Sequence, residues 1–107
     1  METTIRADGK ITTLINIFTV EPQNQYELVG LLKECTESVI SKSSGWISTN
    51  LLNSKDGQRV IIYSQWRSAK DIESFRQNPQ MVPFIQRVAA LAKFEAVECD
   101  VCYALHA

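Results

Sequence analysis

Three short stretches of this 107-residue chain hold side chains whose types and spacing can do chemistry. One is Cys99-Asp100-Val101-Cys102, a C-x-x-C pattern followed by His106, the single histidine of the chain. The second is Asn16, a primary amide set inside the apolar run ITTLINIFTV. The third is Trp66, which closes VIIYSQW two residues before a helix-start signal. Thiols and an imidazole point to metal or redox chemistry. An amide and an indole point to holding and walling a small organic molecule.

The thiol reading weakens once the local period is considered. FEAVECDVCYAL places Val97, Cys99, Val101, Tyr103 and Leu105 on one side, which is strand alternation. Residues three apart on a strand face opposite sides and sit about 10 Å apart, so two such thiolates can neither share a zinc ion nor close a disulfide. Redox pairs of the thioredoxin type begin a helix instead. An odd count of three cysteines also argues against a disulfide framework. The expectation is packed, reduced cysteines, no metal site, and a cytoplasmic address.

Asn16 is more informative. A buried amide without a partner costs about 1–3 kcal/mol, and the backbone groups of a strand interior already pair with one another. A neighbouring side chain, a backbone group or a ligand must satisfy it, and a pocket role is expected. Trp66 stays open between a core anchor and a pocket wall, since large indoles are usually buried for packing reasons.

The elements that must position these residues follow from pattern. ITTLINIFTV (11–20) reads as a strand ended by Glu21-Pro22. Asn24 with Glu27 has capping-box spacing, predicting a helix to about Ser43 with Val29, Leu32, Thr36, Val39 and Ile40 along its buried stripe. Gly45 is placed to stop it, and Trp46 to anchor it. Strands over 46–53 and 58–67, separated by Ser54-Lys55-Asp56-Gly57, predict a hairpin. Ser68 with Asp71 is a second capping signal, opening a helix that turns Ile72 and Phe75 inward and leaves Arg76 to solvent. Asn78-Pro79 breaks it. A third helix has Pro83 in its first turn and Phe84, Val88, Leu91 and Ala92 as its stripe. A last strand spans 94–105.

The order β-α-β-β-α-α-β is the split βαβ pattern of a ferredoxin-like α+β domain, an antiparallel sheet with helices on one face. It occupies 11–107, after a polar, flexible arm over 1–10. A sheet covered on one side should alternate apolar and polar residues. Here Leu14, Phe18 and Val20 are opposed by Ile15 and Ile17, and Val60, Ile62 and Trp66 by Ile61 and Tyr63. A second copy of the chain is the economical cover, so a homodimer through the sheet face is expected, with Tyr63 in it. Composition agrees with a soluble domain: 45% hydrophobic, 21% charged, 11 basic against 12 acidic residues. That balance argues against nucleic acid or anionic membranes as partners. No run approaches the roughly 20 apolar residues of a membrane span, and no signal-peptide pattern opens the chain.

INIFTVEPQNQYELVGLLKE and SGWISTNLLNSKDGQRVIIYSQWRSAKDIESFRQNP resemble the antibiotic biosynthesis monooxygenase domain, over roughly 11–105. Tyr63, Gln65, Trp66 and Ser68 stand where members usually carry them, and Gly45-Trp46 is similar to the family's Gly-Phe step, with Ser44 replacing a proline. The resemblance implies a dimeric α+β barrel whose pocket lies between the sheet and the helices of each subunit. It implies oxygenation of a small aromatic or quinol-type molecule without metal or flavin, or, in other members, haem opening. Carried over residue by residue, it makes Asn16 and Trp66 the catalytic candidates, with Phe18, Ile62, Ser64, Ile72, Phe75, Phe84 and Arg87 lining the substrate site. The chain departs from the pattern as well. The haem ligand is missing from IESFRQNPQ, and Leu52, Ile62 and Ile72 replace polar residues of the anthrone-oxidising members. A greasier pocket follows, and a ligand-binding module that has lost the chemistry is the alternative.

Overall fold

A computed structural model of the chain describes residues 2–107. Its main elements are β1 (Thr12–Val20), α1 (Gln25–Ser38), β2 (Trp46–Asn53), β3 (Arg59–Trp66), α2 (Ala69–Arg76), α3 (Val82–Leu91) and β4 (Ala92–Cys99). The strands form one sheet in the order β2-β3-β1-β4 with every pair antiparallel, the ferredoxin-like α+β arrangement expected from the pattern. Register places Asn16 on the central strand β1 between Ile62 of β3 and Ala96 of β4. Alternation then turns Leu14, Asn16, Phe18 and Val20 toward the helices, with Val60, Ile62, Ser64 and Trp66 beside them.

Two apolar clusters fill the space between sheet and helices. Phe18, Val20, Val60 and Ile62 meet Leu28, Leu31 and Leu32 of α1 and Val88 of α3. Leu14 and Trp66 meet Cys35, Val39, Ile40, Ile72 and Met81. The buried stripe of α1 is Leu28, Leu31, Leu32 and Cys35, an i, i+3, i+4, i+7 series. Of the expected stripe, Leu32, Val39 and Ile40 are buried, whereas Val29 and Thr36 are only half-buried. Asn24 is no cap, because Pro22 opens a 3₁₀ turn that leaves Asn24 in helical rather than extended backbone. Gln25 fastens this end instead, donating to the carbonyls of Ser54 and Arg59 in the β2–β3 hairpin. The helix also ends earlier than Ser43. Ser38, Ser41 and Ser43 each bond a carbonyl four residues back, Val39 leaves helical geometry, and a 3₁₀ turn over Ile40–Lys42 follows. Ser68 caps α2 as expected, accepting from the Asp71 amide at 3.2 Å.

The last strand is shorter than its sequence period. β4 pairs with β1 only as far as Cys99 opposite Thr13, and β1 begins one residue earlier, so residues 101–105 have no β1 residue to pair with. Cys102 therefore lies beyond the strand, and alternation does not govern its distance from Cys99. Beyond it Tyr103 and Leu105 are 73% and 82% exposed. On the outer face of the sheet, Asn50 donates to Thr3 Oγ1, Gln65 to the Thr4 carbonyl, and His106 Nε2 bonds the Ile5 carbonyl. Thr3 and Thr4 are thus fastened to β2 and β3, and His106 to Ile5, while Ile15, Ile17, Ile61 and Tyr63 on this face are half-buried. No helix among the described residues is long and apolar enough to cross a membrane.

Gly45 joins three elements at one corner. Its φ is +82°, its carbonyl accepts from Arg67 N at 2.8 Å, and a Cβ there would press into the Asp71 side chain. That carboxylate in turn accepts the Ser68 hydroxyl at 2.9 Å. Gly45→Ala should therefore strain the backbone and push Asp71 off the α2 cap together, lowering stability by about 2–4 kcal/mol in urea unfolding.

Candidate functional site

The helices do not cover the sheet evenly. Their weight falls on β1 and β3, while edge strand β4 leaves Phe94 and Ala96, on its helix-facing side, exposed. Between the covered and uncovered parts lies a cavity of about 230 Å³. Its floor is Leu14, Asn16, Phe18 and Ile62, continued by Phe94 and Ala96. Its roof is Leu32, Cys35 and Ile40 from the α1 side, Phe75 and Arg76 from α2, then Met81, Phe84, Ile85 and Val88. An engineered apolar cavity of about 150 Å³ is known to hold benzene, so this volume suits a core of two or three fused rings.

Among the described residues, Asn16 is the sole primary amide in this lining. It is half-buried, and its side chain makes no hydrogen bond to another described residue. Register explains why: the facing side chains are aliphatic Ile62 on one side and Ala96, too short to cover it, on the other. The amide is thus offered to the cavity. At the rim, Arg76 Nη1 reaches Glu98 Oε1 at 3.4 Å, bridging α2 and β4 across the opening. The Arg76 side chain, expected simply to be solvated, is 40% exposed and helps line the chamber.

Of the residues expected to line the site, Asn16, Phe18, Ile62, Phe75 and Phe84 come together. Trp66, Ser64 and Ile72 do not. Trp66 is 1% exposed, stacked on Phe75 with ring centroids 4.9 Å apart, and its Nε1–H donates to Ser64 Oγ at 3.1 Å. Ser64 donates in turn to the Leu14 carbonyl. Indole, hydroxyl and carbonyl form a closed chain behind the cavity wall, and Ile72 packs fully buried beside them. Trp66 shapes the chamber through Phe75 without facing it. Arg87 lies elsewhere, pairing with Glu34 at 3.9 Å beside a shallow groove over α1 and α3. The three aliphatic departures also separate: Ile62 is in the floor, Ile72 is in the core, and Leu52 is on the outer face, opposite Ile61. Only the first makes the cavity greasier.

Cys35, Met81, Phe94 and Ala96 were not anticipated in the site. The α1 phase through Leu28 would have flagged Cys35, and β1–β4 register would have placed Phe94 and Ala96; the latter needs tertiary pairing that spacing does not supply. Phe94 lies against Phe18 at 5.3 Å and forms the outer lip. Burial, aided by the charge of neighbouring Glu34, pushes the Cys35 thiol up from 9.0 to about 11.

Fold and cavity together define an α+β domain built round an apolar chamber with one free amide and one rim arginine. The chain belongs to the antibiotic biosynthesis monooxygenase family, whose model matches residues 11–87. It is 31% identical to the tetracenomycin-F1 monooxygenase of Streptomyces glaucescens over 104 residues, covering 97% of this chain and 93% of that protein. A variant of SnoaB, a cofactor-independent oxygenase from Streptomyces nogalater, superposes with a TM-score of 0.80 at 18% identity, over 90% of this chain and 97% of that one. A monooxygenase from the gene ActVA-Orf6 of Streptomyces coelicolor, in complex with the ligand nanaomycin D, gives 0.81 at 22% identity, over 90% and 91%.

The state of Cys35 has a measurable consequence. Below pH 9 both folded and unfolded chains keep this thiol protonated; between about 9 and 11 the unfolded chain releases a proton that the folded chain retains, so stability is lost as pH rises through that window. Urea midpoints should fall there by more in the parent than in Cys35→Ala. At pH 7.5 a thiol reagent should label exposed Cys102 at least about 100-fold faster than Cys35, until the chain is unfolded.

Proposed function

We propose that this protein is a cofactor-independent monooxygenase acting on a small aromatic quinol or anthrone bound in the cavity over Asn16. The observation that carries the reading is the free amide in an otherwise apolar chamber, within a family whose relatives are oxygenases of this kind. In the reaction a ring methylene of an anthrone loses two hydrogens and gains one oxygen atom, and the second atom of O₂ leaves as water. The substrate itself supplies the electrons. It must first lose a proton to become the electron-rich carbanion, or enolate, that oxygen attacks.

The chain's part is binding, orientation and charge stabilisation. Phe75, Phe84 and Phe94 sandwich the ring system and exclude water, which strengthens every hydrogen bond inside. The Asn16 N–H donates to the oxygen on which negative charge develops. Among the described residues the lining holds no carboxylate, histidine or tyrosine, and the Cys35 thiol, pushed up to about 11, stays protonated, so the substrate's proton leaves to solvent at the rim. Trp66 keeps a positioning role: it holds Phe75 in place.

That shortage of proton handlers favours a second reading, a ligand-binding module without catalysis. Oxygen uptake separates the two. With an anthrone substrate the parent protein should consume oxygen, and Asn16→Ala should lower turnover by about 10²–10³, the effect of one lost oxyanion donor, without a change in unfolding midpoint. No uptake with any quinol or anthrone, together with ligand binding, supports the module instead.

A homodimer through the outer sheet face belongs to the same proposal. Exposed Leu52 and Val97 share that face with half-buried Ile15, Ile17 and Tyr63, and such apolar side chains support a second copy as their cover. Sedimentation at micromolar concentration should give twice the chain mass, and Leu52→Lys should shift it toward one.

A further inference from the structure

We propose that the Arg76–Glu98 pair is a charge-selecting rim, and that the preferred ligand is a two- or three-ring aromatic carrying an oxyanion, a carboxylate or ionised phenol, on one edge. The assignment rests on the cavity being the ligand site. Arg76 is the single charged side chain in the lining, standing where the apolar chamber meets solvent. An aromatic core buried against Phe75 and Phe94 brings one edge to that rim.

The guanidinium is poorly satisfied as it stands. It has five N–H donors, and one of them meets Glu98 at the long distance of 3.4 Å. Both side chains are more than a third exposed, and an exposed pair of this kind contributes little. A ligand oxyanion therefore displaces Glu98 easily: a carboxylate's two oxygens can take a bidentate seat on the arginine fork, and a phenolate's one oxygen can accept from it, at the edge of an apolar wall where charge-assisted bonds are strong. Glu98 opposes this, because its carboxylate stays on the adjacent strand position and repels the incoming anion. Arg76 therefore sets the preference for anions and Glu98 tempers it: neutral ligands gain nothing from the rim, while anions gain the arginine against the repulsion of the glutamate.

The two side chains thus act in opposite directions on the same ligand, which no loss of folding can imitate. Calorimetric titration of the full chain with 2-naphthoate and with neutral, similarly shaped 2-naphthamide provides the test. Naphthoate should bind about tenfold tighter than naphthamide; Arg76→Met, which leaves the Glu98 repulsion in place, should abolish or reverse that preference, and Glu98→Gln should strengthen naphthoate several-fold while leaving naphthamide unchanged. Thermal unfolding of each variant monitors the fold. Equal affinity of the two probes, or Glu98→Gln weakening naphthoate, overturns the rim assignment while leaving the oxygenation reading intact. Failure of both probes to bind overturns the assignment together with the cavity as ligand site; oxygen uptake, measured separately, decides the chemistry.

Discussion

The stack of Trp66 on Phe75 is the contact that the rest of the site depends on. The indole is held from three sides: by its ring partner on α2, by the Ser64 hydroxyl, and through Ser64 by the carbonyl of Leu14 on the neighbouring strand. Such a chain has no spare donor facing the cavity. At the start of α2 Ser68 caps the helix and Asp71 closes over Gly45, and the stack pins its last turn to the end of β3. Because α2 is rigid there, Phe75 can serve as a wall and Arg76, one residue on, can stand at the rim.

An uneven roof turns this rigid corner into a chamber. Helices that covered all four strands would bury Asn16 without a partner, an arrangement costing about 1–3 kcal/mol. Here β4 lies at the sheet edge with its inner side chains exposed, and short Ala96 opposite Asn16 leaves the amide uncovered. Destabilisation from the uncovered lip is limited by the Phe18–Phe94 contact, which keeps one aromatic face packed. Openness and local stability are therefore in tension at β4, where the edge that leaves the cavity open also leaves Phe94 and Ala96 exposed.

Much of the fold was legible because local rules agree with the global one. Strand alternation, Ser68 with Asp71, Gly45, and Asn78-Pro79 each act within a few residues, and each falls where the elements begin or end. Misreadings arose where two local patterns competed. In α1 the Val29 and Leu28 stripes are both present in the sequence, and packing against Phe18 and Val60 selected the second. At the C-terminus the two-residue period runs on through Tyr103 and Leu105, but a strand needs a partner, and β1 has no residues left to offer.

The site divides along the same line. Sequence alone determined that one amide would sit in an apolar strand beneath helices bearing Phe75 and Phe84, because residue type and period decide which side chains share a face. It also determined the family, through the strand, tryptophan and helix start taken together. Only the tertiary structure decided that Trp66 lies behind the wall, that Arg87 stands apart, and that Arg76 lines the cavity while pairing with Glu98. Those outcomes depend on how far each helix reaches across the sheet and on which strand pairs with β1 at its edge. Such long-range distances are set by packing, and no spacing along the chain encodes them.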